Sequence, residues 1–233
     1  MHTCADVGGL VLGLATAESG EPDAVLGRLV DAVGTRLGLT TGAAVLADGA
    51  VRGIAGVGPP RPREVLAAGF GQGPGGECAR TGRPVLSTDL DRERPRWLAF
   101  VAKASAAGIG AAWALPVRHA EETVGALLLL GGRASEPDLD VAAVLAGAAA
   151  AGILRARERD RAEQEAGQLR TALTSRITVE QAKGMLAVHA GTDITTAFES
   201  LRSYARRNGR PLAEVASAVV HGELPATEVL VPR

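Results

Sequence analysis

The chain has few aromatic residues, two cysteines and almost no net charge. Aromatic residues make up 3% of its 233 residues, which argues against a pocket for a large flat ligand such as haem. Cys4 and Cys78 form neither a disulfide framework nor a CxxC metal pair, so a reducing cytoplasm fits best. At a net charge of −1, the protein cannot coat nucleic acid or anionic membrane by bulk electrostatics, so any such binding must use a local patch.

Long apolar runs are also scarce. No run approaches the length of a membrane-spanning helix, so the sequence predicts no transmembrane segment and no membrane partner. Residues 7–17 are the one stretch that resembles a signal peptide. They follow Asp6 and lack a preceding basic segment, so we predict that they are not one.

The pattern of the first half predicts an α+β domain with an antiparallel sheet. Residues 22–39 have helical spacing, and an Asp48-Gly49 turn indicates a first hairpin. The predicted strands are residues 42–48, 51–57, 84–88, 111–117 and 123–130. Short helices are predicted near residues 63–68, 77–81 and 97–107. A helix, a hairpin, a variable middle and a second hairpin give this fold class.

This order resembles a GAF domain over about residues 22–133, on the segments GPGGECARTGRPVL, WALPVR and VGALLLL. The resemblance implies a sensory or dimerising module, and residues 1–133 are assigned to it. Pockets of GAF domains hold cyclic nucleotides, haem, bilins or nothing, so the ligand, an unknown small molecule if any, stays open. We predict no cofactor.

Several patterns in this half resemble sites. Residues 71–76 match GxGxxG, but they follow a helix and lack the acidic residue about twenty positions on, so a flexible loop is favoured. Cys78 is either a redox-sensing thiol or a core residue, and the core is favoured. His119, Glu121 and Glu122 lie in a predicted hairpin turn, so no metal is predicted. Trp97 and Trp113 are candidates for lining a cavity.

Residues 134–165 are predicted to form a linker helix capped by Ser135, with Pro137 and Asp138 in its first turn. It is either a solvated connector or a dimerising rod. Strict heptads do not continue through residues 155–165, so a long coiled coil is not established, and dimerisation through the Ala-rich end and the GAF helices is favoured.

Three helical stripes follow in residues 166–222, which predicts a three-helix domain with one shared core. The first stripe holds Leu169, Leu173, Ile177, Ala182, Met185 and Leu186. Asp193 is a good N-cap for the second helix, and Pro211 suits the first turn of the third. Residues 223–233 are assigned to a flexible tail.

The charges of this domain give a mild basic bias, with seven Lys or Arg against four Asp or Glu in residues 166–222. Tyr204, the one tyrosine, is flanked by arginines and could stack on an unpaired base. Equally, an arginine run near a helix end is often a solvated face, and Tyr204 could be half-buried core. Phe198 is assigned to the core.

Three motifs in this region, AL-x-SR-x-x-x-EQAKG-x-L, AF-x-x-LR-x-YAR-x-N and L-x-x-VA-x-x-VV, resemble an ANTAR domain. ANTAR domains are RNA-binding output modules of bacterial regulators. The resemblance implies that this one binds paired stem-loops of a leader transcript and prevents a terminator from forming. The residues predicted to contact RNA are Arg176, Gln181, Lys183, Arg202, Tyr204, Arg206 and Arg207.

The leading hypothesis is therefore a cytoplasmic, homodimeric GAF-ANTAR antitermination regulator. An alternative is a small-molecule or redox sensor whose helical tail binds protein. An enzyme is the least favoured hypothesis, because the sequence contains no convincing nucleophile-base pair, phosphate-binding loop or metal-ligand spacing.

Overall fold

The computed structural model describes residues 4–16, 22–47 and 50–230. Contacts divide the chain into two compact units, Met1–Asp160 and Arg161–Arg233. The first unit is an antiparallel sheet with helices on both faces, and the second unit is helical. The predicted α+β class with a helical C-terminal domain is confirmed.

Five strands form one sheet in the order β2-β1-β5-β4-β3, and all its pairs are antiparallel. The strands are β1 (Thr40–Ala47), β2 (Ala50–Val57), β3 (Val85–Ser87), β4 (Ala111–His119) and β5 (Glu122–Gly131). Both predicted hairpins are therefore present. The Asp48-Gly49 turn predicted for the first lies outside the described residues.

Alternation along the strands divides the core of the first unit into two clusters. Leu127 and Leu129 belong to the cluster shared with α2 (Pro22–Leu37), whereas Leu128 and Leu130 belong to the cluster shared with α3 (Pro60–Gln72). Successive side chains of a strand point to opposite faces, so the run of four leucines covers both faces. A central strand buried on both sides explains why this run shows no alternation of polar residues.

The two tryptophans lie in different clusters. Trp113 packs in the cluster with α2, and Trp97, just before α5 (Leu98–Ala106), packs in the cluster with α3. They do not line one cavity, because β4 carries Trp113 on the sheet face that points away from α5.

The GxGxxG stretch is the junction of α3 with α4 (Pro74–Thr81), not the loop that we predicted. A Cβ at Gly76 would lie 2.4 Å from the carbonyl oxygen of Phe70, and one at Gly75 would lie 2.8 Å from the ring of Phe70. Glycine therefore lets the two helices meet closely, which accounts for the motif without a phosphate ligand.

The N-terminal apolar stretch forms helix α1 (Cys4–Ala15), which docks on the first unit through its C-terminal end. Leu14 is buried, and the guanidinium groups of Arg28 and Arg155 donate to the carbonyl oxygens of Gly13 (3.3 Å) and Ala15 (3.0 Å). Helix carbonyls at a C-terminus lack partners within the helix, so these arginines satisfy two of them.

Helix α6 (Leu139–Ala190) runs without a break from the predicted linker into the C-terminal domain. It begins at Leu139, later than predicted, because the carboxylate of Asp138, not Ser135, accepts the first backbone N–H, from Val141 at 3.1 Å. Pro137 precedes the helix. By length and composition alone α6 could cross a membrane, although 44% of its most apolar window is buried within the fold.

Candidate nucleic-acid interface

The second unit is built on the end of α6, α7 (Ile194–Arg207) and α8 (Leu212–Val220). Its core holds small and branched residues from all three helices. The innermost are Ala182, Leu186, Ala197, Leu201, Val215 and Ala216. Leu224 and Val229 join this core from the segment predicted as a flexible tail, where a short helix α9 (Ala226–Leu230) forms because its apolar residues have a surface to cover.

Helix α7 begins where the sequence predicts, at a well-capped N-terminus. The carboxylate of Asp193 accepts the backbone N–H groups of Thr195 (2.8 Å) and Thr196 (3.0 Å) and the Thr196 hydroxyl (2.7 Å). These hydrogen bonds, that of the Thr196 hydroxyl foremost, hold the pKa of Asp193 below its usual value. The cap fixes the direction in which α7 leaves α6 and so positions the arginines at its far end.

The predicted first stripe is divided by the structure. Ala182 and Leu186 enter the core, but Leu169, Leu173, Ile177 and Met185 are exposed. At about 100° per residue, Leu169 lies about 100° and Leu173 about 140° around the helix from Leu186, so one narrow face does not hold them all. Each step of three or four residues moves the stripe only slightly around the helix, but these small rotations add up between residues 169 and 186.

Lys183 is held within the unit. Its ammonium group contacts both carboxylate oxygens of Glu180, at 2.8 and 2.9 Å, and lies 5.3 Å from the ring centroid of Phe198. The Lys183 side chain is only 16% exposed. The assignment of Phe198 to the core is wrong, because Phe198 is only partly buried and is not a member of the core cluster; its ring face instead attracts the Lys183 cation.

Four predicted basic residues can be grouped. Arg176 is seven residues before Lys183 on α6 and therefore on the same side of that helix. Arg202 and Arg206 follow Phe198 at steps of four along α7, and both are exposed. We call Arg176, Lys183, Arg202 and Arg206 the basic row.

Tyr204 and Arg207 form a separate pair. The guanidinium carbon of Arg207 lies 6.0 Å from the Tyr204 ring centroid, and Tyr204 is half-buried against the core. Tyr204 is two positions along α7 from both Arg202 and Arg206 and so lies on nearly the opposite side of the helix, while Arg207 lies about 100° around the helix from Arg206. Gln181 likewise points away from Lys183. The structure therefore divides the seven predicted residues among three places.

One residue near this surface was missed by the sequence reasoning. Glu180 neutralises Lys183, and its spacing of three residues was the available signal. The side-chain amide of Asn208 donates to the carbonyl oxygen of Tyr204 at 2.9 Å and helps to end α7.

Among the residues that the structure describes, the first unit supports neither of its two candidate sites, a reactive Cys78 thiol and a metal site. Cys78 is fully buried, and burial, with a smaller effect of the Glu77 charge, raises the pKa of its thiol to about 12. A buried, protonated thiol is a poor nucleophile, so the core reading of Cys78 holds. Within residues 4–16, 22–47 and 50–230, no cluster of three His, Cys, Asp or Glu side chains could hold a metal ion.

The comparisons with known proteins agree with this architecture. The GAF domain family model matches residues 19–154, more than half of the chain, so the chain belongs to the GAF family. The ANTAR domain model matches residues 167–220. The protein is thus a GAF domain followed by an ANTAR domain, and both are regulatory domains.

Solved structures are similar to about two thirds of this chain. The GAF domain of an Acinetobacter phosphoenolpyruvate-protein phosphotransferase is 13% identical, with a TM-score of 0.48 over 66% of this chain and 93% of that one. A free methionine-R-sulfoxide reductase from Neisseria meningitidis is 14% identical, with a TM-score of 0.45 over 65% of this chain and 94% of that one. Sequence identity and structural similarity at this level do not indicate a shared activity or ligand. No curated protein matches the chain.

Proposed function

We propose that the protein is a cytoplasmic transcriptional regulator whose ANTAR domain binds stem-loops of a nascent leader RNA and promotes antitermination. The observation that carries this proposal is the basic row, which lies in the segment matched by the ANTAR model. Arg202 and Arg206 present exposed guanidinium groups one helical turn apart. Spaced cations of this kind suit successive phosphates.

Base recognition falls to the Tyr204–Arg207 pair. RNA loops expose unpaired bases that stack on aromatic rings and on guanidinium planes. The basic row and the Tyr204–Arg207 pair lie on different sides of α7. The RNA would therefore contact α7 on both sides, with a stem bound to the basic row and an unpaired base stacked on the pair. Gln181, which lies apart from both, is the weakest member of the proposed set.

The GAF domain supplies the input, as a signal receptor or as a dimerisation module, and the active form is a homodimer. A catalytic role is not proposed, because the thiol of Cys78 is buried and protonated at neutral pH. The tail could instead bind protein, which the exposed Leu169, Leu173 and Ile177 favour.

A filter-binding titration separates these functions. The full-length protein is titrated with a two-hairpin leader RNA, a loop-scrambled RNA and duplex DNA at several salt concentrations. Tyr204→Ala should weaken leader binding roughly 5- to 150-fold, since a stacked base contributes about 1–3 kcal/mol, and should leave the scrambled RNA unchanged. Arg202→Ala should weaken binding to both RNAs and lower the salt slope by roughly one.

Arg118→Ala serves as the matched control, because it removes one exposed charge from the first unit. Equal binding of all three nucleic acids, or equal effects of the Arg118 and Arg202 substitutions, would contradict RNA recognition and favour the protein-binding tail.

A further inference from the structure

Lys183 differs from the other three members of the basic row. Arg176, Arg202 and Arg206 are exposed, and none of the three has an acidic partner among the residues that the structure describes. The Lys183 side chain is only 16% exposed, and both carboxylate oxygens of Glu180 lie within 2.9 Å of its ammonium nitrogen. The row therefore presents its guanidinium groups to a ligand, whereas its ammonium group is already neutralised.

The ammonium group of Lys183 has little capacity left for a phosphate. A lysine ammonium has three N–H donors and no acceptor. The two oxygens of Glu180 accept from it at 2.8 and 2.9 Å, and the centroid of the Phe198 ring lies 5.3 Å from the nitrogen. The Glu180 side chain is 57% exposed, so the carboxylate, not the ammonium, faces the solvent. A phosphate would have to displace Glu180 to reach Lys183.

The contact with Phe198 joins two helices. Lys183 lies on α6, and Phe198 lies on α7 beyond the turn between them. The Phe198 ring is only partly buried and is not a member of the core cluster. An aromatic face attracts a cation, and the aliphatic part of a lysine packs on apolar surface. Lys183 therefore links α6 to α7 at the margin of the core.

Glu180 strengthens this link because it orients Lys183 from the same helix. Side chains three residues apart lie on the same side of an α-helix. A lysine side chain that is already ordered by a carboxylate loses less rotamer freedom when it also contacts a ring. Glu180 thus orients Lys183, and Lys183 attracts Phe198. We call these three residues the α6–α7 contact.

The α6–α7 contact lies in the middle of the basic row. Arg176 precedes Lys183 by two turns of α6 and is rotated from it by only about 20°. Arg202 and Arg206 follow Phe198 at steps of four along α7. The α6–α7 contact therefore connects the two parts of the row, and the placement of α7 against α6 sets the distance between Arg176 and Arg202. Phosphates repeat regularly along a nucleic acid, so this distance matters for binding several of them at once.

We infer that Lys183 is a positioning residue, which holds α7 against α6 through Glu180 and Phe198 and binds no phosphate itself. This deepens the proposed function and rests on it, because the groups that Lys183 positions are the arginines proposed to contact RNA. In the competing account, an RNA phosphate displaces Glu180 from Lys183. The two accounts predict opposite effects when the charge of Glu180 is removed.

Glu180→Gln in the full-length chain tests the inference by the sign of its effect on leader-RNA binding. The substitution adds positive charge, so a phosphate bound by Lys183 would be held more tightly. Because it also weakens the α6–α7 contact, we expect binding about fivefold weaker. Glu199→Gln is the matched control, since it removes the same charge from an exposed position beside Phe198, and it should bind at least as tightly as the wild type. Binding by Glu180→Gln equal to or tighter than that by the control would overturn the inference.

A double-substitution cycle tests whether Lys183 acts through the arginines. Glu180→Gln combined with Lys183→Met removes the ion pair without changing the net charge. It should weaken leader binding about fivefold in the wild-type background. When Arg202 and Arg206 are both replaced by Ala, the same change should have almost no effect at low salt, because the positioned groups are absent. An equal loss in both backgrounds, with a salt slope lower by about one in each, would show a direct phosphate contact and overturn the inference.

Hydrogen exchange without RNA distinguishes failure of this inference from failure of the proposed function. Residues 195–207 of α7 should exchange faster in Glu180→Gln and in Phe198→Leu than in the wild type, and at the wild-type rate in Glu199→Gln. Unchanged exchange in both of the first two variants overturns the inference, whether or not the chain binds RNA. Faster exchange in both, in a chain whose wild type binds no leader RNA, overturns the proposed function alone.

Discussion

At the residue scale, single side chains decide how this protein responds to pH and to reagents. Asp193 and Cys78 show the two directions that an environment can impose. Hydrogen bonds from the first turn of α7 lower the pKa of Asp193, whereas burial raises the pKa of Cys78. Both effects follow from whether the surroundings favour the charged form.

Replacing Asp193 should separate its capping role from its charge. Asp193→Ala should lower the denaturant midpoint of the second unit, because two N–H groups of α7 lose their acceptor. Asp193→Asn keeps an acceptor but loses the charge, so at neutral pH its stability should lie between those of the wild type and the Asp193→Ala variant. Since the folded pKa is lowered, the charge stabilises the unit above the unfolded value of about 3.9 and this contribution is lost as the pH falls through the folded pKa.

Equilibrium unfolding of the three proteins between pH 3 and pH 7 checks this. The stability advantage of the wild type over the Asp193→Asn variant should shrink as the solution is acidified, and an advantage that grows on acidification would contradict the assigned pKa direction.

Cys78 should be inert in the folded protein. With a pKa of about 12 and no exposed surface, its thiol supplies almost no thiolate at pH 8. In a Cys4→Ser variant, a thiol reagent should react only as fast as the first unit unfolds, and at once in denaturant. Rapid labelling of Cys78 in the folded protein at pH 8 would contradict this prediction and favour the redox-sensor alternative.

At the scale of elements, close approaches fix how helices dock. A Cβ at Gly152 of α6 would lie 2.2 Å from the carbonyl oxygen of Leu14, whereas a Cβ at Gly147 would meet only the Arg118 carbonyl oxygen, at 3.8 Å. Helix α1 therefore lies against α6 at a place where only glycine fits.

Gly152→Ala should displace α1, while Gly147→Ala, which gains the same helix propensity, should not. Hydrogen exchange of residues 7–15 measures the difference. Protection should fall markedly in the first variant and stay at the wild-type level in the second. Equal protection in both would show that α1 does not depend on this contact.

At the scale of the whole molecule, the two units have separate hydrophobic cores. Phe100 is fully buried in the first unit, and Leu201 is fully buried in the second. Substitutions in one core should therefore act locally. Loss of a large buried side chain typically costs about 2–5 kcal/mol.

Phe100→Ala and Leu201→Ala test this separation. The first should raise hydrogen exchange throughout the sheet and leave α8 unchanged, and the second should do the reverse. If either substitution raises hydrogen exchange equally in both units, the two units unfold together in one cooperative transition.

Local patterns in the sequence determined the hairpins, the long helix, the cap of α7 and the family motifs, because each depends on neighbours within a few residues. Helical spacing identified Ala197, Leu201 and Ala205 as buried in α7, but it also placed Ile194 and Phe198 on that stripe, and Ile194 is 54% exposed while Phe198 is only partly buried. The domain limits and the RNA-contacting residues stay predictions.

Only the tertiary structure decided which way the rest of α6 faces. Leu169 and Leu186 look equivalent in a pattern of threes and fours, but α7 and α8 cover Leu186 and leave Leu169 exposed. It likewise decided that Lys183 is held by Glu180 and Phe198, and that Tyr204 lies apart from Arg202. These outcomes depend on contacts between residues distant in sequence, which periodicity within one helix does not encode.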